Sequence, residues 1–315
     1  MSKRIWLFII PFLTTGIFLA SCDNTTSSDE DELISILKEI VEADSTIMLD
    51  GLDDDGAQDM EYSDDPGLAK ALADTFPVDF KLVRFGRKLN LKPIREVNIE
   101  MNDEETEALA EITSTRTGYF VVVLKDTVNH TIADSVWKPF TEIAKQKLKL
   151  EKKYDTGNPR RDWKVTAFSP IIGKTVGNTI EITGLSLKKD TVVVNFTNDE
   201  TDSLLDHFFG RYDYPALKAN GLYQVEMSVS NPDPFFQEPS ELAMVHYGIR
   251  KGFLKCRRLL HDPENDDSFT GEIHLHGHRS HMCRVFFDVI DLASIFDTDA
   301  PLNSTYWAFP YRVKR

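Results

Sequence analysis

Apolar positions along the chain follow three different spacings. Residues 5–20 form one predominantly apolar run with a single proline. From Leu33 the spacing becomes helical: Leu33, Ile34, Ile36, Leu37, Ile40 and Val41 form an i, i+3, i+4, i+7 stripe. Ser28 to Glu32 stand in front of it as cap and first-turn acids, so the pattern predicts an amphipathic helix. A shorter helix is predicted over 67–75, ending before Pro77. The period then changes to two, and 97–101, 118–125 and 141–154 read as strands. In the last of these, Ala144, Gln146, Leu148 and Leu150 alternate with Lys145, Lys147 and Lys149, which puts one face on a core. Asn158-Pro159 marks a turn, and 163–169 is another alternating strand closed by Pro170. Beyond 171 come eight further strand candidates: 179–187, 191–196, 221–230, 241–250, 252–260, 269–277, 283–290 and 305–313. They are separated by Gly, Pro, Asn and Asp, the signature of an antiparallel sandwich.

The expected fold class is an α+β N-terminal domain over 33–169 followed by an all-β antiparallel sandwich over 170–315. The order of helix, strand meander and Trp163-Lys-Val-Thr strand resembles the small NTF2-like and cystatin-like α+β domains. That resemblance implies a cone-shaped interior holding either packed side chains or a ligand, and transfers no site residue. The C-terminal strand series resembles the immunoglobulin-like sandwiches of bacterial surface lipoproteins, without the Cys, Trp, Cys arrangement of antibody domains.

The N-terminus reads as an address. Lys3 and Arg4 precede the apolar run, and Leu19-Ala20-Ser21-Cys22 follows it, the layout of a secretory signal. The tetrapeptide resembles the lipobox of bacterial lipoproteins. The resemblance implies cleavage before Cys22 by signal peptidase II, acylation of Cys22, and residence in the bacterial cell envelope, the outer membrane being the expected location. Each buried acyl methylene contributes about 0.8 kcal/mol to such an anchor.

The chain has 36 Lys plus Arg against 51 Asp plus Glu, a formal charge of −15. This excludes the basic footprint of a nucleic-acid partner. Most of the excess lies between Asp23 and Asp65, where 16 acids face Lys38 alone. Residues 22–32 therefore read as the lipidated cysteine and an acidic tether. The acidic loop at 50–59 and just beyond, with Asp53, Asp54, Asp55, Asp59 and Glu61, offers hard oxygen donors for Ca, the alternative being a solvated loop, yet aligning Gly56 as the sixth EF-hand position puts Gly51 first and Tyr62 twelfth, so that motif fails.

Two constellations compete near the C-terminus. Cys256 and Cys283 are an even pair in an exported chain and are expected to form a disulfide. Closing a loop of about 27 residues would contribute roughly 3 to 4 kcal/mol. Between them, His274, His276, His278 and His281 offer imidazoles for Zn or Cu, the alternative being a polar outer face. Same-side residues on a strand are about 6.6 to 7 Å apart, so one metal would need the bend that Gly277 allows. Lys145, Lys147, Lys149 and Lys153, with Lys152, Arg160 and Arg161, form a basic patch, and Tyr306, Trp307, Phe309 and Tyr311 an aromatic row suited to a core or to stacking on a sugar. No GxSxG, Walker A, GxGxxG or HExxH motif occurs. The expectation is a non-enzymatic envelope protein that binds a protein or glycan partner, with metal binding, or a pocket or hydrolase activity in the α+β domain, as alternatives.

Overall fold

The structure is a computed structural model that describes residues 26–44, 80–89, 93–126, 128, 132–197, 203–234, 240–249, 256–262, 266–275 and 280–314. Its spine is one long antiparallel hairpin, β3 (Glu107–Asp126) against β4 (Ile132–Lys152), in register from Glu107↔Glu151 to Leu124↔Asp134 and shifted by one residue at Lys125↔Ile132. Strand β1 (Phe80–Leu89) and then β2 (Ile94–Met101) lie in tandem along the outer side of β3. Along β4 lie β5 (Trp163–Phe168) and β6 (Ile171–Thr175), again in tandem.

One end of the hairpin is the α+β part. Helix α1 (Thr26–Ala43) sets Leu37 and Val41, four residues apart on one face, against Val97, Ala110, Leu148, Leu150, Trp163 and Val165. The alternation read from β4 holds: Ala144, Gln146, Leu148 and Leu150 are buried, whereas Lys145 and Lys149 are exposed. A one-turn helix, α2 (Pro159–Asp162), replaces the simple turn expected at Asn158-Pro159, with Asn158 Oδ1 accepting from the Arg160 amide at 3.1 Å. The expected tether needs correction, because α1 begins at Thr26, inside it. The hydroxyls and acids of Thr-Ser-Ser-Asp-Glu-Asp-Glu suit the positive end of a helix, and extending an existing helix costs far less than starting one.

The other end is all β. Strand β6 pairs with β16 (Ser304–Lys314), which continues through β15 (Ser280–Asp291) and β12 (Glu241–Ile249) to β13 (Cys256–Leu259). A second antiparallel sheet runs β14 (Ser268–His274), β11 (Leu222–Ser230), β7 (Glu181–Lys189), β8 (Thr191–Thr197). The two sheets enclose the sandwich core, including Leu187, Phe196, Val225, Val245, Phe287, Trp307 and Phe309. All eight strand candidates of the C-terminal region are present. The short β9 (Phe209–Gly210) adds to β5, and β10 (Ala216–Lys218) pairs parallel with β16.

The large sheet also folds back on itself. Phe85, Phe120 and Phe140 of β1, β3 and β4 pack on Leu242, Met244 and Ile290 of β12 and β15, which lie far along the strand order. Three β layers result: β8, β7, β11 and β14; then β12, β15 and β16; then β1 with the near halves of β3 and β4. The middle layer is covered on both sides, which is why β16 is buried without a break from Ser304 to Tyr311. The boundary expected at 169/170 falls inside this continuous sheet, since β6 pairs with β4 on one side and β16 on the other. The helix-bearing and sandwich parts are thus joined by backbone hydrogen bonds, where a domain boundary would show a linker.

Candidate functional site

The inner gap between the middle and third layers holds a charged cluster. Arg116 and Glu142 are directly opposite each other on β3 and β4. Asp288 and Tyr306 are directly opposite on β15 and β16, in the facing wall. Arg87 of β1 reaches across to Asp288 with both terminal nitrogens, Nη1 to Oδ2 at 2.6 Å and Nη2 to Oδ1 at 2.8 Å, and Nη2 also donates to Ser304 Oγ at 2.9 Å. Tyr306 returns the crossing, its hydroxyl donating to Glu142 Oε1 at 2.7 Å and accepting from Arg116 Nη2 at 2.9 Å. Arg116 pairs with the same Glu142 oxygen through Nε at 3.1 Å and through Nη2. Arg87 Nε stands 3.8 Å from Glu142 Oε2, and His246 Nε2 of β12 stands 3.3 Å from Asp288 Oδ2. Every one of these side chains is 2% exposed or less, so the cluster is sealed from solvent.

Two guanidinium groups face two carboxylates, which is the condition for charges to lie this deep. Burial alone would raise the Asp288 carboxyl, but the Arg87 guanidinium and His246 hold it well below the usual carboxylate range. Burial, reinforced by Glu142, drives the Tyr306 hydroxyl well above its ordinary value, so it remains a donor at any physiological pH. Burial opposes charge on Arg116, but Tyr306 and Glu142 outweigh it and its value is raised. Next to the cluster, burial pulls Lys138 down to about 8 against the opposing pull of Asp297 and Asp299. Its ammonium donates to the carbonyl oxygens of Ser294, at 2.7 Å, and Asp297, and so caps the end of the short helix α3 (Ala293–Phe296). The arrangement clasps the β1–β3–β4 layer onto the β12–β15–β16 layer.

The candidates read from the sequence fall elsewhere. Cys22 and the acidic block 50–59 lie outside the described residues, as does the helix expected over 67–75. His274 is exposed on β14 between the buried Ile273 and Leu275; His276 and His278 lie outside the described residues, and His281 is placed only as backbone in β15. Among the described residues no group of three His, Cys, Asp or Glu side chains is gathered as metal ligands would be. The expected disulfide is corrected by topology: β13 and β15 flank β12 on opposite sides. Cys256 and Cys283 are therefore two strand spacings apart, about 9.5 Å or more, beyond the 4.4 to 6.8 Å between Cα atoms that a bridge needs. Cys283 is instead a buried thiol in the sandwich core.

Lys147 of the basic patch is drawn into ion pairs with Asp206 at 2.8 Å and Glu111 at 3.5 Å, and Arg160 pairs with Glu39 of α1. Trp307, Phe309 and Tyr311 fill the sandwich core while Tyr306 enters the charged cluster, so the aromatic row is interior. The interior of the α+β part is filled by the side chains packed beneath α1. The charged cluster escaped the sequence reading, although it left one trace. Asp288 stands alone in Val-Phe-Phe-Asp-Val-Ile with the same parity as Phe286 and Ile290, and so points at an interior where an acid requires a partner.

No protein-family model matches the chain, and no curated protein does. A solved structure of extended synaptotagmin 2, comprising its SMP domain and two C2 domains, is 8% identical with a TM-score of 0.15, over 91% of this chain. The chain spans about 62% of that structure's length, and a superposition at this level carries no functional inference.

Proposed function

We infer that the protein is a lipid-anchored, non-enzymatic component of the bacterial cell envelope whose folded body presents surfaces for binding. The observation that carries this reading is the order of Lys3-Arg4, an apolar run and Leu19-Ala20-Ser21-Cys22.

The test is metabolic labelling of the full chain with a radioactive fatty acid, with and without an inhibitor of signal peptidase II. Wild-type protein should carry label on a mature N-terminal Cys22, the inhibitor should accumulate the longer precursor, and Cys22→Ala should abolish labelling. Unlabelled wild-type protein, or label that survives Cys22→Ala, refutes the anchor.

A further inference from the structure

We propose that the outer face of the β1–β3–β4 layer is a platform for an acidic oligosaccharide, with Trp137 and Tyr119 as stacking rings and Lys88 meeting the sugar's carboxylate. This gives the binding body inferred above a ligand class, and it rests on that part of the reading and not on the anchor. Phe120, Lys138 and Phe140 turn inward to the middle layer, so alternation sends Tyr119, Trp137 and Pro139 to the opposite face. There Tyr119 is 38% and Trp137 47% exposed. Tyr119 lies between Lys88 and Pro139 in the ladder, and Trp137 is opposite Val121. The two rings meet edge to face, with centroids 5.8 Å apart at 69°. Trp137 Nε1 donates to Ser135 Oγ, two residues back on the same strand, at 3.1 Å. The indole is therefore oriented before any ligand arrives, which lowers the cost of binding. Lys88 Nζ stands 5.2 Å from the centre of the same ring. Among the described residues Lys88 forms no ion pair with an acid, in a chain of formal charge −15.

Size and chemistry select the occupant. At roughly 150 to 250 Å² of surface per aromatic side chain, the exposed parts of the two rings amount to on the order of 200 Å². A protein partner needs roughly 800 Å² on each side. Both rings are more than half covered by their own sheet, so they cannot sink the roughly 5 to 10 Å into a bilayer that an interfacial anchor reaches. The area instead matches one or two sugar rings. The C–H face of a pyranose carries slight positive charge and packs on the negative face of an indole. A carboxylate on that sugar draws the flexible Lys88 ammonium off the ring, replacing a weak cation–π contact by a charge-assisted hydrogen bond. Thr117 and Thr141, directly opposite each other in the next outward row, offer hydroxyls at the rim.

The decisive measurement is binding of the full chain, in detergent, to an array of oligosaccharides containing glucuronate, galacturonate, muramate or sialate, beside their neutral counterparts. Wild type should bind at least one acidic member, and at least about tenfold more tightly than its neutral counterpart. Trp137→Ala should weaken that binding at least about tenfold, Trp137→Phe should keep most of it, and Lys88→Gln should remove the preference for the acid. Failure to bind any acidic member overturns the proposal, as does binding that a folded Trp137→Ala chain retains. Trp137-dependent binding to vesicles of anionic phospholipid, with none to the sugars, overturns it in favour of a membrane contact. Should the variants fail to fold, acylation of Lys88 in the wild type decides. The bound oligosaccharide should slow that reaction several-fold, and an unchanged rate overturns the proposal. The array reads the same whether or not Cys22 is acylated, so a failure here leaves the anchor standing, and loss of the anchor leaves the platform standing.

Discussion

Asp288 shows how much one side chain carries in this molecule. It accepts both terminal nitrogens of Arg87, from a strand 201 positions away, and stands next to His246. Asp288→Asn leaves a buried guanidinium without its counter-charge and should cost roughly 3 to 5 kcal/mol in urea unfolding. Replacing Arg87 and Asp288 together by Met and Leu should cost well under the sum of the two single changes, since no orphan charge remains. The pH dependence has a definite sign. Asp288 titrates lower in the folded chain than in the unfolded one, so its contribution is complete above the ordinary carboxylate value of 3.8 and is lost as pH falls through the folded one. The urea midpoint should drop on acidification below about pH 4, and less steeply in Asp288→Asn. Lys138 behaves in the opposite way: pushed from 10.5 to about 8, it makes folding more favourable as pH rises between those values. Lys138→Met should flatten that alkaline rise.

Among the elements, β6 has the most consequential position. Five residues join β4 to β16, and at their centre Gly173 faces the Tyr306 ring so closely that a Cβ would fall among its Cζ and Oη atoms. The fit explains the glycine without any special backbone angle. Gly173→Ala must displace a ring tied to Glu142 and Arg116, and should cost at least the roughly 1 to 3 kcal/mol of an overpacked core, read from the shift of the thermal midpoint. β6 shows no strong period in Ile-Ile-Gly-Lys-Thr, and β1, Phe-Lys-Leu-Val-Arg-Phe-Gly-Arg-Lys-Leu, reads as charged rather than alternating; neither was expected as a strand. Both owe their conformation to the ladder beside them. By contrast α1, β4 and the eight C-terminal strands carry their own period and were legible, although β4 begins at Ile132, nine residues before the expected 141.

At the scale of the molecule, the continuous sheet predicts one cooperative transition. Calorimetry should give a single peak, and a fragment ending at residue 169 should not fold alone, because β4 would lose β6 and the Phe85–Phe120–Phe140 surface would lose Leu242 and Met244. Denatured, unreduced protein should show both Cys256 and Cys283 as reactive thiols, in keeping with their places on opposite sides of β12. By itself the sequence determined what depends on neighbours in the chain: the amphipathic helix, the alternating strands, the concentration of acid near the N-terminus, and the motif around Cys22. Only the tertiary structure decided that the sheet crosses the midpoint of the chain, that two cysteines are a strand too far apart, and that Arg87, Arg116, Glu142, Asp288 and Tyr306 meet. Local periodicity records which face of a strand is buried, because that choice repeats every two residues. It holds no record of which strand lies opposite, since pairing partners 129 to 217 positions apart leave no repeating mark on either segment.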